Sequence, residues 1–244
     1  SCAAYLMVGN LTLKRQVGPD ARLANTLFAV WWFCLGVQSF VQAGTLAYAA
    51  FAVPDYAFMV TKTYVGVITL VAALWALMYY LLYLYTGKAS LLGPLTATYG
   101  LLTLLFMYTV SWLHPIGVER TAWSVRTLNE NALTAGPALL VIFAFVIPVL
   151  VATVAYGSLF FRLKDPSQRY RVGLVSGAFL AWFGWALLVS LMNVATGTKQ
   201  PPLGIIVVSR LFGLIVPLLI VLAYRPPRWI RERLTGPGSA PAAA

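Results

Sequence analysis

Charge is scarce in this chain. Only 9% of its 244 residues are Asp, Glu, Lys or Arg, and only 6 are acidic. A soluble domain carries about 25% charged and about 45–50% apolar residues. Here 61% are hydrophobic and the mean hydropathy is +0.83. The composition excludes an ordinary cytosolic enzyme, a disordered chain and a nucleic-acid binder. The 17 Lys and Arg fall in short clusters between long uncharged runs, which is how membrane proteins distribute cations. A single His excludes an axial His pair for haem. It also leaves no set of three or four ligands for a metal. Cys2 and Cys34 form no CxxC and sit in apolar segments, as packing thiols do. No Asp or Glu lies inside any long apolar run. That argues against the carboxylate path of a proton pump, and nothing supplies the nucleophile and base of an intramembrane hydrolase. The chain is not expected to be an enzyme.

What is present is a series of apolar runs. About 20 apolar residues cross a hydrocarbon core of about 30 Å. Fixed charges delimit six runs of that length, at residues 25–53, 60–86, 91–114, 136–162, 172–196 and 203–224. Residues 1–13 are also apolar but too short to cross at about 1.5 Å per residue. They read as the lower half of a further helix, with upstream residues absent. The expected fold is an all-α integral membrane bundle of seven helices, the first incomplete. A basic interfacial segment follows at 225–234 and a mobile Pro/Gly/Ala tail at 235–244.

Cations orient the bundle. With Lys14 in the cytoplasm and strict alternation, the inner side holds Lys14, Arg15, Arg22, Lys88, Arg162, Lys164, Arg169, Arg171, Arg225, Arg228, Arg231 and Arg233. The outer side holds Lys62, Arg120, Arg126 and Lys199, and Arg210 lies within a span. The N-terminus is therefore expected outside and the C-terminus inside, in the cell (cytoplasmic) membrane. Most links are short, which makes successive helices antiparallel neighbours. The long outer link, about Pro115–Gly136, reads either as an interfacial amphipathic helix or as an irregular loop.

This layout resembles the rhodopsin and receptor-type architectures, in layout alone, and assigns no family. Retinal rhodopsins hold their chromophore on a Lys of the last helix. The corresponding run here, GIIVVSRLFGLIVPLL, offers only Arg210, which stays protonated and forms no Schiff base. Covalent retinal is thus not expected. Non-covalent lipid, carotenoid or quinone stays open.

Arg210 is the most informative residue, about 10 Å below the outer surface at about 1.5 Å per residue. It either snorkels to the headgroups or faces the bundle and binds an acid, a carbonyl or an anionic ligand. Gln38 and Gln42 share a helix face, and buried amides in lipid seek partners. Asn193, Tyr64 and Lys62 lie at similar depth, and Glu119 and Glu130 flank the outer link. Arg210, Gln38, Gln42, Asn193, Tyr64 and Glu119 are the candidate ligand-binding residues of an outer-half polar pocket. His114 reads as a capping or interfacial residue. Trp31, Trp32, Tyr79, Tyr80, Tyr83, Tyr85 and Tyr170 read as an inner aromatic belt, and Trp182 with Trp185 as core. Pro148 and Pro217 kink their helices, and Gly173–Gly177 marks a tight helix contact. The segment RPPRWIRERL should lie among inner headgroups and attract anionic lipid.

Three functional readings follow. The preferred one is a non-catalytic sensory or ligand-binding seven-helix protein that signals through a separate protein partner in the membrane. The second is a structural or accessory subunit of a larger membrane complex. The third is a facilitator for a small solute, although no repeat or broken-helix pair supports it.

Overall fold

The computed structural model describes residues 2–14, 18–52, 55–112, 114–120, 125–130, 144, 146–196 and 203–235. Its helices are α1 (Cys2–Leu13), α2 (Pro19–Phe51), α3 (Tyr56–Thr86), α4 (Leu92–Trp112), α5 (Ile147–Arg162), α6 (Pro166–Thr196), α7 (Leu203–Tyr224) and α8 (Arg228–Thr235). A 3-10 turn, Ala89–Leu91, leads into α4, and two strands, β1 (Pro115–Arg120) and β2 (Val125–Asn129), follow it. Three helical stretches are long and apolar enough to cross a membrane: Ala21–Phe51, Tyr56–Thr86 and Ala89–Trp112. A fourth crossing results if Arg210–Tyr224 and Arg228–Leu234, bent by 52°, are taken together. The chain is a helical, multi-pass membrane protein. The segment 236–244, expected to be a mobile tail, lies outside the described residues.

Local chemistry sets the helix ends. Pro19 opens α2, where its missing N–H costs nothing. Asp55 caps α3, its carboxylate accepting from Phe58 N at 2.9 Å. The helix stops at Gly87, whose φ of +65° suits a residue without Cβ. Asp165 accepts from Gln168 N at 3.0 Å ahead of Pro166. That cap starts α6 six residues ahead of the apolar run beginning at 172. Replacing Asp55 by Ala is expected to cost about 1 kcal/mol, read as a lowered thermal midpoint in detergent. An unchanged midpoint would show the cap to be energetically idle.

Within lipid every polar group needs a partner. Buried Thr12, Thr45 and Thr109 find theirs on their own helices, donating to Val8 O, Val41 O and Leu105 O, each at 2.8 Å.

The helices pack in a closed circuit. α1 lies on α2, α2 on α3, α3 on α5, α5 on α6, α6 on α7, and α7 returns to α1. α4 lies outside this circuit against α3. Close approach is possible where side chains are missing. A Cβ at Gly36 of α2 would lie 2.8 Å from Leu6 of α1, and one at Gly9 of α1 would lie 3.0 Å from the Phe33 ring. The Gly173–Gly177 pair serves two neighbours: Gly173 faces Phe160 of α5 and Gly177 faces Leu219 of α7.

The link after α4 differs from both expectations. It begins as an antiparallel β-hairpin, with Val118 opposite Thr127 and Glu119 opposite Arg126. The chain leaves α4 through His114, at a φ of +43°. Glu130 N donates to His114 O at 3.0 Å, closing the hairpin base. His114 Nε2 and Glu130 Oε2 stand 3.6 Å apart, an exposed pair worth little to stability. The hairpin touches α3 through both strands and α2 through β2.

Candidate ligand-binding site

The helix circuit encloses a cluster of aromatic rings. Trp31 and Trp32 of α2 anchor it, each only 1% exposed. Tyr5 of α1 stacks on Trp32, with centroids 5.8 Å apart and planes at 16°. Phe28 meets the edge of Trp32 at 5.6 Å and stacks on Tyr80 of α3 at 4.8 Å. Trp182 of α6 meets Trp31 edge-on at 5.1 Å, and Phe179 lies between Trp31 at 6.3 Å and Tyr156 of α5 at 5.4 Å. Five helices thus contribute rings to one interior. Successive residues on a helix diverge by about 100°, so Trp31 reaches α6 while Trp32 reaches α1.

Three polar features lie in this apolar interior. The hydroxyls of Tyr80 and Tyr156 share a hydrogen bond at 2.6 Å, tying α3 to α5. The indole nitrogens of Trp31 and Trp32 are buried, and neither has an acceptor among the described residues. A buried N–H without an acceptor costs about 1–3 kcal/mol. Buried Trp normally finds a partner for it. The arrangement is a packed aromatic core that holds two buried indole N–H donors. Among the described residues no three His, Cys, Asp or Glu gather as metal ligands.

The residues expected from the sequence are dispersed by comparison. Arg210 is exposed on α7, Gln42 is exposed on α2, and Gln38 is half-buried there. Tyr64 of α3 is half-buried and shares a hydrogen bond with Ser111 of α4 at 2.9 Å. Glu119 is half-buried in β1 and has interaction partners of its own. Asn193 lies on α6, but its side chain is outside the described residues. The structure does bring Lys62 of α3 into electrostatic range of Arg210 of α7, two like charges from separate helices.

The inner aromatic belt needs correction. Trp31, Trp32 and Tyr79 are core residues, whereas Tyr85 is exposed. The sequence signal for the site was a Trp–Trp pair well inside a 33-residue helix, not at its end. Trp182 stacks into the core as expected, with Trp185 5.8 Å away.

No protein-family model, curated protein or solved structure matches this chain. The functional reading therefore rests on its own residues.

Proposed function

We propose that the chain is a non-catalytic, seven-helix protein of the cell membrane that binds a lipid-soluble ligand in its aromatic interior. Seven crossings are supported by a helix in each apolar run and by the α1–α7 contact that closes the circuit. The distribution of cations supports an outer N-terminus and an inner C-terminus. One observation carries the binding reading: two adjacent, fully buried indole N–H groups with no acceptor among the described residues. Ring faces favour a flat, apolar ligand body, and the two donors favour a carbonyl or ether oxygen on it. Lys62 and Arg210 support an outer mouth that favours anions.

The test uses full-length protein in nanodiscs, with decylubiquinone as a flat probe carrying carbonyl acceptors. Saturable quenching of Trp fluorescence is expected. Each of Trp31→Phe and Trp32→Phe keeps a ring and removes a donor, and should weaken binding about two- to tenfold, since one hydrogen bond contributes about 0.5–1.5 kcal/mol. Non-saturable quenching, equal in the variants and the parent, together with an organic extract of purified protein holding membrane lipid alone, would remove the binding reading.

One observation favours the second reading, an accessory subunit. α4 stands outside the circuit with Leu101, Leu104 and Tyr108 exposed along it. Stable co-purification of another membrane chain that is lost on Leu104→Lys would support it.

A further inference from the structure

At the inner end of the bundle, three arginines rest on aromatic rings. The Arg169 guanidinium carbon lies 4.7 Å from the centroid of Phe160. Arg171 lies 6.0 Å from the ring of Tyr224, and Arg233 lies 5.9 Å from that of Trp229. The first two contacts join α5, α6 and α7, the third lies within α8, and α8 packs against α6. A guanidinium lying over a ring uses its π face, and its N–H donors project around its edge. The Arg171 Nε is buried without an acceptor among the described residues.

The acids of this corner are already engaged. Asp165 caps α6 through Gln168 N and Ser167 N. Glu232 accepts from Arg228 Nε at 2.8 Å. The segment 225–235 still carries Arg225, Arg231 and Arg233 beyond that pair. It begins where the apolar run of α7 stops. Pro226 and Pro227 interrupt the helix there, and α8 departs at 52°. Trp229 is 60% exposed on it. An exposed indole beside arginines, at the point where the hydrocarbon ends, is the chemistry of a headgroup layer.

We propose that this corner binds the phosphoryl headgroup of anionic phospholipid, with Arg171 and Arg233 as ligands and Trp229 seated at the acyl boundary. The occupant is lipid because the donors are pre-set beside an exposed indole at the end of a membrane-crossing helix. Stacked guanidiniums are also poised to bind a phosphate through two parallel N–H···O bonds. This inference stands apart from the aromatic interior and does not depend on it.

The experiment is native mass spectrometry of the full chain released from mixed phosphatidylglycerol and phosphatidylcholine micelles. Preferential retention of phosphatidylglycerol is expected. Arg171→Gln and Arg233→Gln should each weaken it about fivefold, the equivalent of about 1 kcal/mol per cation at a membrane surface. Arg233 lies on α8 outside the circuit, so its variant reports even if Arg171→Gln fails to fold. Arg233→Lys keeps the charge but loses the planar fork, and should fall between parent and Gln variant. Equal retention of the two lipids, or retention unchanged in Arg233→Gln, overturns the proposal. So does full displacement by millimolar inorganic phosphate, which would make the ligand a free anion. Retention of an acidic protein in place of lipid would overturn it as well.

Discussion

Trp32→Ala is expected to lower stability by about 3–5 kcal/mol, the range for a large aromatic removed from a packed core. The indole is 1% exposed and joins two helices. It stacks on Tyr5 of α1 and packs perpendicular to Phe28 of its own helix. α1 also packs on α2 with Leu6 against Gly36 and Gly9 against Phe33, and its other flank touches α7. Loss of the indole should therefore loosen α1 first. Reversible unfolding in mixed micelles, followed by circular dichroism, gives the magnitude. A proteolysis site appearing in α1 gives the place. A cost below about 1 kcal/mol would mean that the surrounding rings collapse into the space, contrary to the rigid packing described.

The second large effect concerns one glycine and its contrast with another. A Cβ at Gly173 would lie 2.9 Å from Phe160 Cε2. That ring cannot swing aside freely, because Arg169 lies over it and Phe161 meets it edge-to-face at 5.3 Å. Gly173→Leu is thus expected to cost about 1–3 kcal/mol as overpacking. Gly66 of α3 has nothing within 4 Å of its Cβ position. Gly66→Leu should be neutral or stabilising by up to about 1 kcal/mol through helix propensity. Paired thermal melts in one detergent decide it. Equal shifts of the same sign would mean that the α5–α6 seam is looser than its contacts imply.

The helices were legible in the sequence because the bilayer imposes a simple rule. A segment that must hide its backbone in lipid reads as an uncharged run, and 60–86 and 203–224 fall close to α3 and α7. Some boundaries were less legible. α2 starts at Pro19 and α6 at Pro166, ahead of their apolar runs, because a helix continues past an apolar run wherever a cap or a proline allows. The hairpin was hidden for another reason. Val118, Ala122, Val125 and Ala132 happen to recur near helical spacing, while the pairing of Glu119 with Arg126 is non-local and has no period of its own.

The aromatic interior was illegible for a related cause. Depth along α2, counted from its first charge, placed Trp31 and Trp32 near an interface. Which face of α2 meets α1 and α6 is decided by the circuit, and no single run contains that information. Charge counting likewise singled out Arg210 as the one cation within a span. It could not say that Lys62 would stand near it, since the two are brought together only by the packing of helices far apart in sequence.

The contact of α1 with α7 has a consequence for biogenesis. α1 leaves the ribosome just ahead of α2 and has it as an early companion, but its other flank stays open to lipid until α7 is inserted. The wall around the rings is thus completed only when α7 arrives. Up to that moment, a molecule dissolved in the bilayer has a sideways entrance to the interior.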